Sequence, residues 1–157
     1  MKLSFSTKGW HNSTFDDFCD IANDLKFQGI ELHNIHNKLF TDKDGAFHDY
    51  AAAKTVRKLY EKKLSIPCID TICNLADNAK ESEIISEIEK CIEIASNLHI
   101  PHIRLRAEEI DDKEQGFNNT SKFLKAVLSK AEEKNITLLI ETAGIFSDTA
   151  YLRSLLD

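Results

Sequence analysis

The segment Ile136-Thr137-Leu138-Leu139-Ile140-Glu141-Thr142-Ala143-Gly144 decides how the fold of this chain is interpreted. Its first five residues form a short, mainly apolar run that predicts a buried strand, and a turn-rich segment follows Glu141. A carboxylate is costly to bury unless it is paired or bound to a cation. At the carboxyl end of a parallel strand, Glu141 would lie where α/β folds bind their ligands. The alternative is a charge that marks the exit of the strand into a solvated loop.

Short strands alternate with longer helical patterns along the chain. The predicted strands are Lys2–Ser6, Gly29–His33, Ser65–Asp70, His102–Arg106 and Ile136–Glu141. Apolar residues at helical spacing predict helices over Thr14–Lys26, Tyr50–Lys63, Glu81–Leu98 and Asn119–Lys134, with a fifth helix from Ser147 onward. Ser13 and Asp16 are expected to cap the first helix, and Asn119 the fourth. This alternation indicates a parallel sheet with right-handed crossovers.

Two α/β architectures fit this element order. One is a flavodoxin-like, doubly wound, five-stranded parallel sheet, which the length of 157 residues favours. The other is the first five βα units of a (β/α)8 TIM barrel, a fold that typically needs about 250 residues. Asp157 falls inside the fifth helical pattern, so a partial barrel would be truncated there. No low-complexity linker interrupts the sequence, and we expect residues 1–157 to form a single α/β domain.

Polar residues recur on one face of the predicted strands. Side chains alternate along a strand, so Glu31 and His33 share a face in the second strand, and Arg104 and Arg106 share one in the fourth. Glu141, at the end of the fifth strand, points to the opposite face from Leu138 and Ile140. A central parallel strand is normally apolar on both faces, because helices cover both. The repeated polar face therefore favours a barrel wall whose lumen opens into a polar site.

Composition and charge exclude several classes of protein. The net charge of −6 argues against a general nucleic-acid or membrane-surface binder, and no apolar run approaches membrane-spanning length. Met1-Lys2 leads directly into a strand with no signal peptide, so we expect a cytoplasmic protein. The four cysteines lack zinc-site spacing and are expected to be reduced and buried.

The local motifs leave the chemistry open. GxGxxG, P-loop and GxSxG motifs are absent, which removes the common nucleotide-binding and serine-hydrolase interpretations. Arg104 and Arg106 can bind a phosphate or carboxylate through their guanidinium groups. They can equally neutralise Glu31 and Glu141 as structural ion pairs.

Three segments together give a resemblance to a known family. They are Lys2-Leu3-Ser4-Phe5-Ser6-Thr7, Phe27-Gln28-Gly29-Ile30-Glu31-Leu32, and Leu138–Gly144 with Ser147-Asp148-Thr149. In order and spacing the chain resembles the xylose-isomerase-like barrels, which include sugar phosphate isomerases and epimerases. The resemblance implies that Glu141 is a catalytic residue and a ligand to a divalent metal (Mn, Mg, Zn or Co). That metal would polarise a sugar carbonyl and stabilise an enediolate while a carboxylate moves the proton.

The same resemblance predicts the ligand, and it also shows which features of the family this chain lacks. The ligand would be a small-molecule sugar or sugar phosphate, contacted by Glu31, His33, Arg104 and Arg106. This family usually follows its strand-five glutamate with an Asn-His type pair, where this chain has Thr142-Ala143, and takes its other metal ligands from strands six to eight. We therefore expect the chain alone to be inactive and to self-associate through open sheet edges. The alternative is a non-catalytic binding or assembly module of flavodoxin-like or partial-barrel fold.

Overall fold

A computed structural model describes residues 1–10 and 12–156. Its strands are β1 (Ser4–Ser6), β2 (Gly29–His33), β3 (Cys68–Asn74), β4 (His102–Arg106) and β5 (Thr137–Ile140). Its helices are α1 (Phe15–Asp24), α2 (Lys38–Thr41), α3 (Ala52–Glu61), α4 (Glu81–Asn97), α5 (Lys113–Glu133) and α6 (Thr149–Leu156), with a 3-10 turn at Gly144–Phe146. The predicted alternation of strands and helices is confirmed, and the short helix α2 is an addition to it.

The five strands form one parallel sheet in the order β1-β2-β3-β4-β5. Consecutive βα units of a barrel give this order, because each right-handed crossover adds the next strand at the same edge. A flavodoxin-like sheet has the order 2-1-3-4-5 instead. The strand order therefore confirms the expected partial barrel and removes the doubly wound alternative.

The described chain divides into two compact units, which are treated separately below. The first comprises Met1–Asp70 with Leu98–Ile100, and the second comprises Thr71–Asn97 with Pro101–Asp157. The first unit packs α1 against β2, with Phe18, Ile30 and Leu32 almost completely buried. In the second unit α4 and α5 pack against each other and against β4 and β5. Its most deeply buried side chains include Ile88, Ile92, Ile103, Leu105 and Phe123.

The third strand begins and ends later in the sequence than predicted. Its expected range was Ser65–Asp70, whereas β3 runs from Cys68 to Asn74. Ser65 forms only an isolated bridge with Gly29. Pro67 lies between the bridge and the strand, and a proline has no N–H to donate to a sheet ladder. Continuous pairing therefore begins after Pro67, which places Asp70 inside the strand.

The predicted caps of two helices, Ser13 with Asp16 for the first and Asn119 for the fourth, were wrong. Helix α1 is capped by Thr14, whose hydroxyl accepts a hydrogen bond from the Asp17 N–H, while the Asp17 carboxylate accepts one from the Thr14 N–H. The bond from the Thr14 N–H, with a second from the Thr14 hydroxyl, holds the pKa of the Asp17 carboxyl below its usual range. Helix α5 is capped by Asp112, seven residues before Asn119, where the predicted range begins, and Asn119 itself is buried. The Asn119 amide instead donates to the carbonyl of Ala76 at 2.7 Å.

All four cysteines are free and buried, as expected. Burial raises the pKa of the Cys73 thiol to about 12, and it also raises the pKa of Cys91. Within residues 1–10 and 12–156, no helix is long and apolar enough to cross a membrane.

Candidate functional site

In the first unit, β2 presents the polar face that its sequence predicted. Ile30 and Leu32 are buried, whereas Glu31 and His33 keep part of their surface exposed. Strand geometry explains the difference, because successive side chains point to opposite faces of the sheet. The structure therefore confirms that Glu31 and His33 share a face.

His33 is paired with a buried carboxylate on the neighbouring strand. Its Nδ1 lies 2.7 Å from an Asp70 carboxylate oxygen, and the two residues are Cα partners in the β2–β3 register. The Asp70 side chain is 1% exposed, while that of His33 is 16% exposed. A carboxylate on Nδ1 fixes the orientation of an imidazole and leaves Nε2 as its free nitrogen for chemistry. This pair is the arrangement in the first unit that is best suited to proton transfer.

The backbone around His33 is held by three further hydrogen bonds. The His33 N–H donates to the Thr7 hydroxyl at 2.9 Å, and the His33 carbonyl accepts from the Asn37 amide at 2.9 Å. The N–H of Asn34 donates to the Asp70 carbonyl at 2.9 Å, and Asn34 has a φ of +62°. Asparagine tolerates this left-handed region, which lets the chain turn at the end of β2. These hydrogen bonds therefore fix the position of the backbone that carries the His33 imidazole.

A cavity of about 690 Å³ lies beside His33 in the first unit. Its wall includes Thr7 after β1, His33 and Asn34 at the end of β2, and Thr14 at the start of α1. The charged residues that line it are Asp16, Asp42, Asp44, Lys38, Lys54 and Lys58. The volume falls within the range of small-molecule sites, and its position at the carboxyl ends of parallel strands is typical of ligand binding in α/β folds.

In the second unit, Glu141 directly follows β5 and faces Arg104. The Glu141 N–H donates to the Leu105 carbonyl at 2.9 Å, which continues the β4–β5 ladder past Ile140. One carboxylate oxygen of Glu141 lies 4.0 Å from Nε of Arg104, and the two side chains are 34% and 28% exposed. This contact is an ion pair rather than a hydrogen bond, because the distance exceeds hydrogen-bond range.

Arg106 has a carboxylate neighbour that the sequence did not indicate. Its Nε lies 3.8 Å from a carboxylate oxygen of Glu108, in the loop that follows β4. No described residue accepts a hydrogen bond from that buried Nε. Arg104 and Arg106 alternate with the buried Ile103 and Leu105, so the predicted polar face of β4 is confirmed.

The loops after β3, β4 and β5 contact one another through hydrogen bonds and a close backbone approach. The Asn74 side-chain oxygen accepts from the Glu108 N–H at 2.9 Å and from the Ala76 N–H at 3.1 Å. Gly144 has a φ of +58°, and a Cβ at this position would lie 2.0 Å from the Ala107 carbonyl oxygen. Only glycine fits such a close approach in this backbone region. Asn74 and Gly144 thus set the geometry of the segment between Arg106 and Glu141.

The donor groups present do not complete a metal site. Over the part of the chain that the structure describes, no three His, Cys, Asp or Glu side chains form a group that could hold a metal ion. His33 and Asp70 provide two such groups in the first unit, and Glu141 is paired with a cation in the second. A catalytic divalent metal needs several ligands, so the described residues do not fit one by themselves.

Comparison with known proteins matches most of the chain to one family. A family model described as xylose isomerase-like TIM barrel matches residues 19–152. No curated protein sequence matches the chain. Among solved structures, the probable 3-DHS dehydratase AsbF of Bacillus anthracis superposes with a TM-score of 0.81 at 21% identity, covering 99% of this chain and 58% of that one.

Two further solved structures show the same fold at lower identity. The IOLI protein, solved with a zinc atom, has a TM-score of 0.74 at 15% identity, covering 89% of this chain and 51% of that one. A sugar phosphate isomerase/epimerase from Parabacteroides distasonis has a TM-score of 0.66 at 13% identity, covering 97% and 60%. The chain therefore spans less than two thirds of the length of these relatives.

Proposed function

Because the chain belongs to the xylose isomerase-like TIM barrel family, we propose that it contributes to an enzyme that isomerises or epimerises a small sugar by proton transfer. The observation that carries this proposal is the His33–Asp70 pair beside the cavity of the first unit. Such a pair suits general acid–base chemistry, which contributes roughly 10²- to 10⁴-fold to a rate.

The proposed role of His33 is to exchange a proton with the bound sugar. Nε2 takes a proton from the carbon beside the sugar carbonyl, and the electron pair of that C–H bond moves toward the carbonyl to give an enediolate. Return of the proton to the opposite face of the same carbon gives the epimer. Return to the neighbouring carbon, with one hydroxyl proton passing between the two enediolate oxygens, gives the isomer. Asp70 stabilises the imidazolium formed in between, because its carboxylate is buried and accepts from Nδ1.

We further propose that Glu31, Arg104 and Arg106 contact sugar hydroxyl groups, and that Glu141 supplies one ligand to a divalent metal. The half-buried carboxylate of Glu141 at the end of a strand supports this role, and the zinc atom in the IOLI structure supports a metal for a relative. The remaining ligands would have to come from outside the described residues. When bound, a divalent metal would stabilise negative charge on a sugar oxygen.

A second candidate function is a non-catalytic sugar-binding module. The Arg104–Glu141 ion pair favours it, because a structural pair would account for both side chains without any chemistry. This alternative predicts binding without proton exchange.

Because this chain alone is expected to be inactive, the test uses the protein in a complete barrel: ketose and aldose sugars are incubated with it in D₂O, and deuterium incorporation is followed by NMR. We expect incorporation at a carbon beside the carbonyl, and a loss of at least about a hundredfold in His33→Gln. His36→Gln changes an exposed histidine three residues away and is the matched control. Binding of sugar without incorporation would support the module instead.

A further inference from the structure

Thr7 follows the last residue of β1 and continues the sheet ladder with its side chain. Its N–H donates to the Glu31 carbonyl at 2.9 Å. In a regular parallel ladder, the His33 N–H would then donate to the Thr7 carbonyl. It donates instead to the Thr7 hydroxyl oxygen at 2.9 Å, and the Thr7 carbonyl accepts from the Trp10 N–H at 3.2 Å. The hydroxyl of Thr7 therefore takes the place of a backbone carbonyl in the ladder.

This bond leaves the hydroxyl proton of Thr7 without an acceptor. A hydroxyl has one proton to donate and two lone pairs that accept. The His33 N–H occupies one lone pair, so the proton points away from it. No residue in the described part of the chain accepts that proton. Thr7 is only 8% exposed and lines the cavity of the first unit, so the cavity is where an acceptor can approach.

The other two threonines that line the cavity use their hydroxyl protons within the protein. The Thr14 hydroxyl donates to the Asp17 carboxylate at 2.8 Å, and the Thr55 hydroxyl donates to the Ala46 carbonyl. Thr7 differs from both, because its oxygen is held by a backbone N–H while its proton remains available. A buried donor without an acceptor is costly, and a ligand oxygen in the cavity would remove that cost.

Resting on the proposed function, we propose that the Thr7 hydroxyl donates a hydrogen bond to the sugar carbonyl oxygen and stabilises that oxygen as it becomes negative in the enediolate. The carbonyl carbon is bonded directly to the carbon from which His33 removes the proton. Thr7 is hydrogen-bonded to the backbone of His33, so the donor and the base lie side by side at the cavity. A donor that is fixed before the reaction stabilises developing charge without rearranging. Thr7 keeps its own proton throughout.

The first test compares two substitutions of Thr7 in a complete barrel. Thr7→Val keeps the shape of the side chain but removes the hydroxyl, whereas Thr7→Ser keeps the hydroxyl. For deuterium incorporation into sugar, we expect kcat to fall by at least about tenfold in Thr7→Val while KM changes less than about threefold, because the bond strengthens in the transition state. Thr7→Ser should stay within about threefold of the parent protein. An unchanged kcat in Thr7→Val would overturn the proposal.

A second replacement separates the donor from the acceptor, since Thr7→Val removes both. O-methylserine at position 7 has an ether oxygen that can accept from the His33 N–H but no proton to donate, and its side chain has as many heavy atoms as threonine. It can be introduced by ligating a synthetic peptide of residues 1–18 to a fragment that begins at Cys19, whose thiol provides the ligation chemistry. Hydrogen exchange of the His33 amide, slow with O-methylserine and faster in Thr7→Val, verifies that the acceptor bond is kept.

We expect the O-methylserine protein to lose at least about tenfold in kcat relative to Thr7→Ser made by the same ligation. An equal kcat in these two proteins, with the His33 amide protected in both, would show that Thr7 only holds the backbone. That result would overturn the donor role while proton transfer by His33 stands. Absence of deuterium incorporation in the parent protein would refute the proposed function itself, and the donor role with it.

Discussion

The imidazole Nδ1 of His33 lies 2.7 Å from the carboxylate of Asp70, across the register that pairs β2 with β3. The carboxylate is 1% exposed, so its negative charge has little water to stabilise it and depends on protein partners. An arrangement of this kind costs stability unless the partners are well placed. The pair lies beside the cavity of the first unit, and the proposed role in proton transfer rests on that position.

The first prediction concerns Glu141 as a metal ligand. Glu141→Gln keeps the size and polarity of the side chain but removes the charge that would attract a cation. In a complete barrel, we expect this change to weaken Mn²⁺ binding by well over tenfold, the scale found even for changes to groups that only support metal ligands. Titration followed by water-proton relaxation measures it, with the exposed Glu133→Gln as the control. Unchanged Mn²⁺ affinity in Glu141→Gln would remove this residue from the proposed site.

The second prediction concerns Gly144 and the loop between β5 and α6. Gly144→Ala should lower the free energy of unfolding by more than about 2 kcal/mol, because it adds a steric clash with the Ala107 carbonyl to the strain of a positive φ. Gly9 also has a positive φ, of +88°, but no atom lies within 4 Å of a Cβ built there. Gly9→Ala should therefore cost only about 1–2 kcal/mol. Equal losses in urea denaturation would contradict the assigned close approach.

The third prediction concerns thiol reactivity. Burial raises the pKa of Cys73 to about 12, and the thiolate is the reactive form. At pH 8 the native protein should hold only about one thiolate in ten thousand at this position, compared with about one in ten at the ordinary pKa of 9.0. Iodoacetamide should therefore label Cys73 and the more deeply buried Cys91 only after unfolding. Rapid labelling of either residue in the native state, followed by mass spectrometry, would show that the thiols are accessible.

The fourth prediction concerns the buried amide of Asn119. Asn119→Leu removes the donor to the Ala76 carbonyl, which then lies in an apolar interior without that partner. We expect a loss of about 1–3 kcal/mol in the free energy of unfolding. Asn118→Leu, at the exposed neighbouring position, is the control and should change the free energy of unfolding little. A smaller loss at Asn119 than at Asn118 would show that this hydrogen bond contributes nothing to stability.

Sequence patterns predicted correctly those features of the fold that depend only on neighbouring residues of one strand or helix. The alternation of Ile30 and Leu32 with Glu31 and His33 gave the correct faces of β2, because side-chain direction has a period of two. The strand order also followed from the polar faces. The start of β3 was not predicted correctly. Pro67 interrupts the pairing of this segment with β2, and this effect depends on which strand lies beside it.

The site was predicted less completely for the same reason. His33 and Asp70 stand 37 residues apart, and their contact depends on the register between two strands. Placing Asp70 at the end of its strand concealed that register. The partner of Arg106 was hidden in a similar way, because Glu108 lies in a loop whose path is set by Asn74. The type of a residue and the face of the strand on which it lies identify it as a candidate site residue. Which candidates contact each other is known only from the tertiary structure.

The most direct test of the proton-transfer account is a double-mutant cycle on the His33–Asp70 pair. The rate of deuterium incorporation into sugar is measured in the complete barrel for the parent protein, His33→Gln, Asp70→Asn and the double variant, with circular dichroism to verify folding. If Asp70 acts through His33, the double variant should be about as slow as His33→Gln alone, because residues that act as a unit are non-additive. Multiplicative losses, or full exchange in His33→Gln, would contradict the central claim.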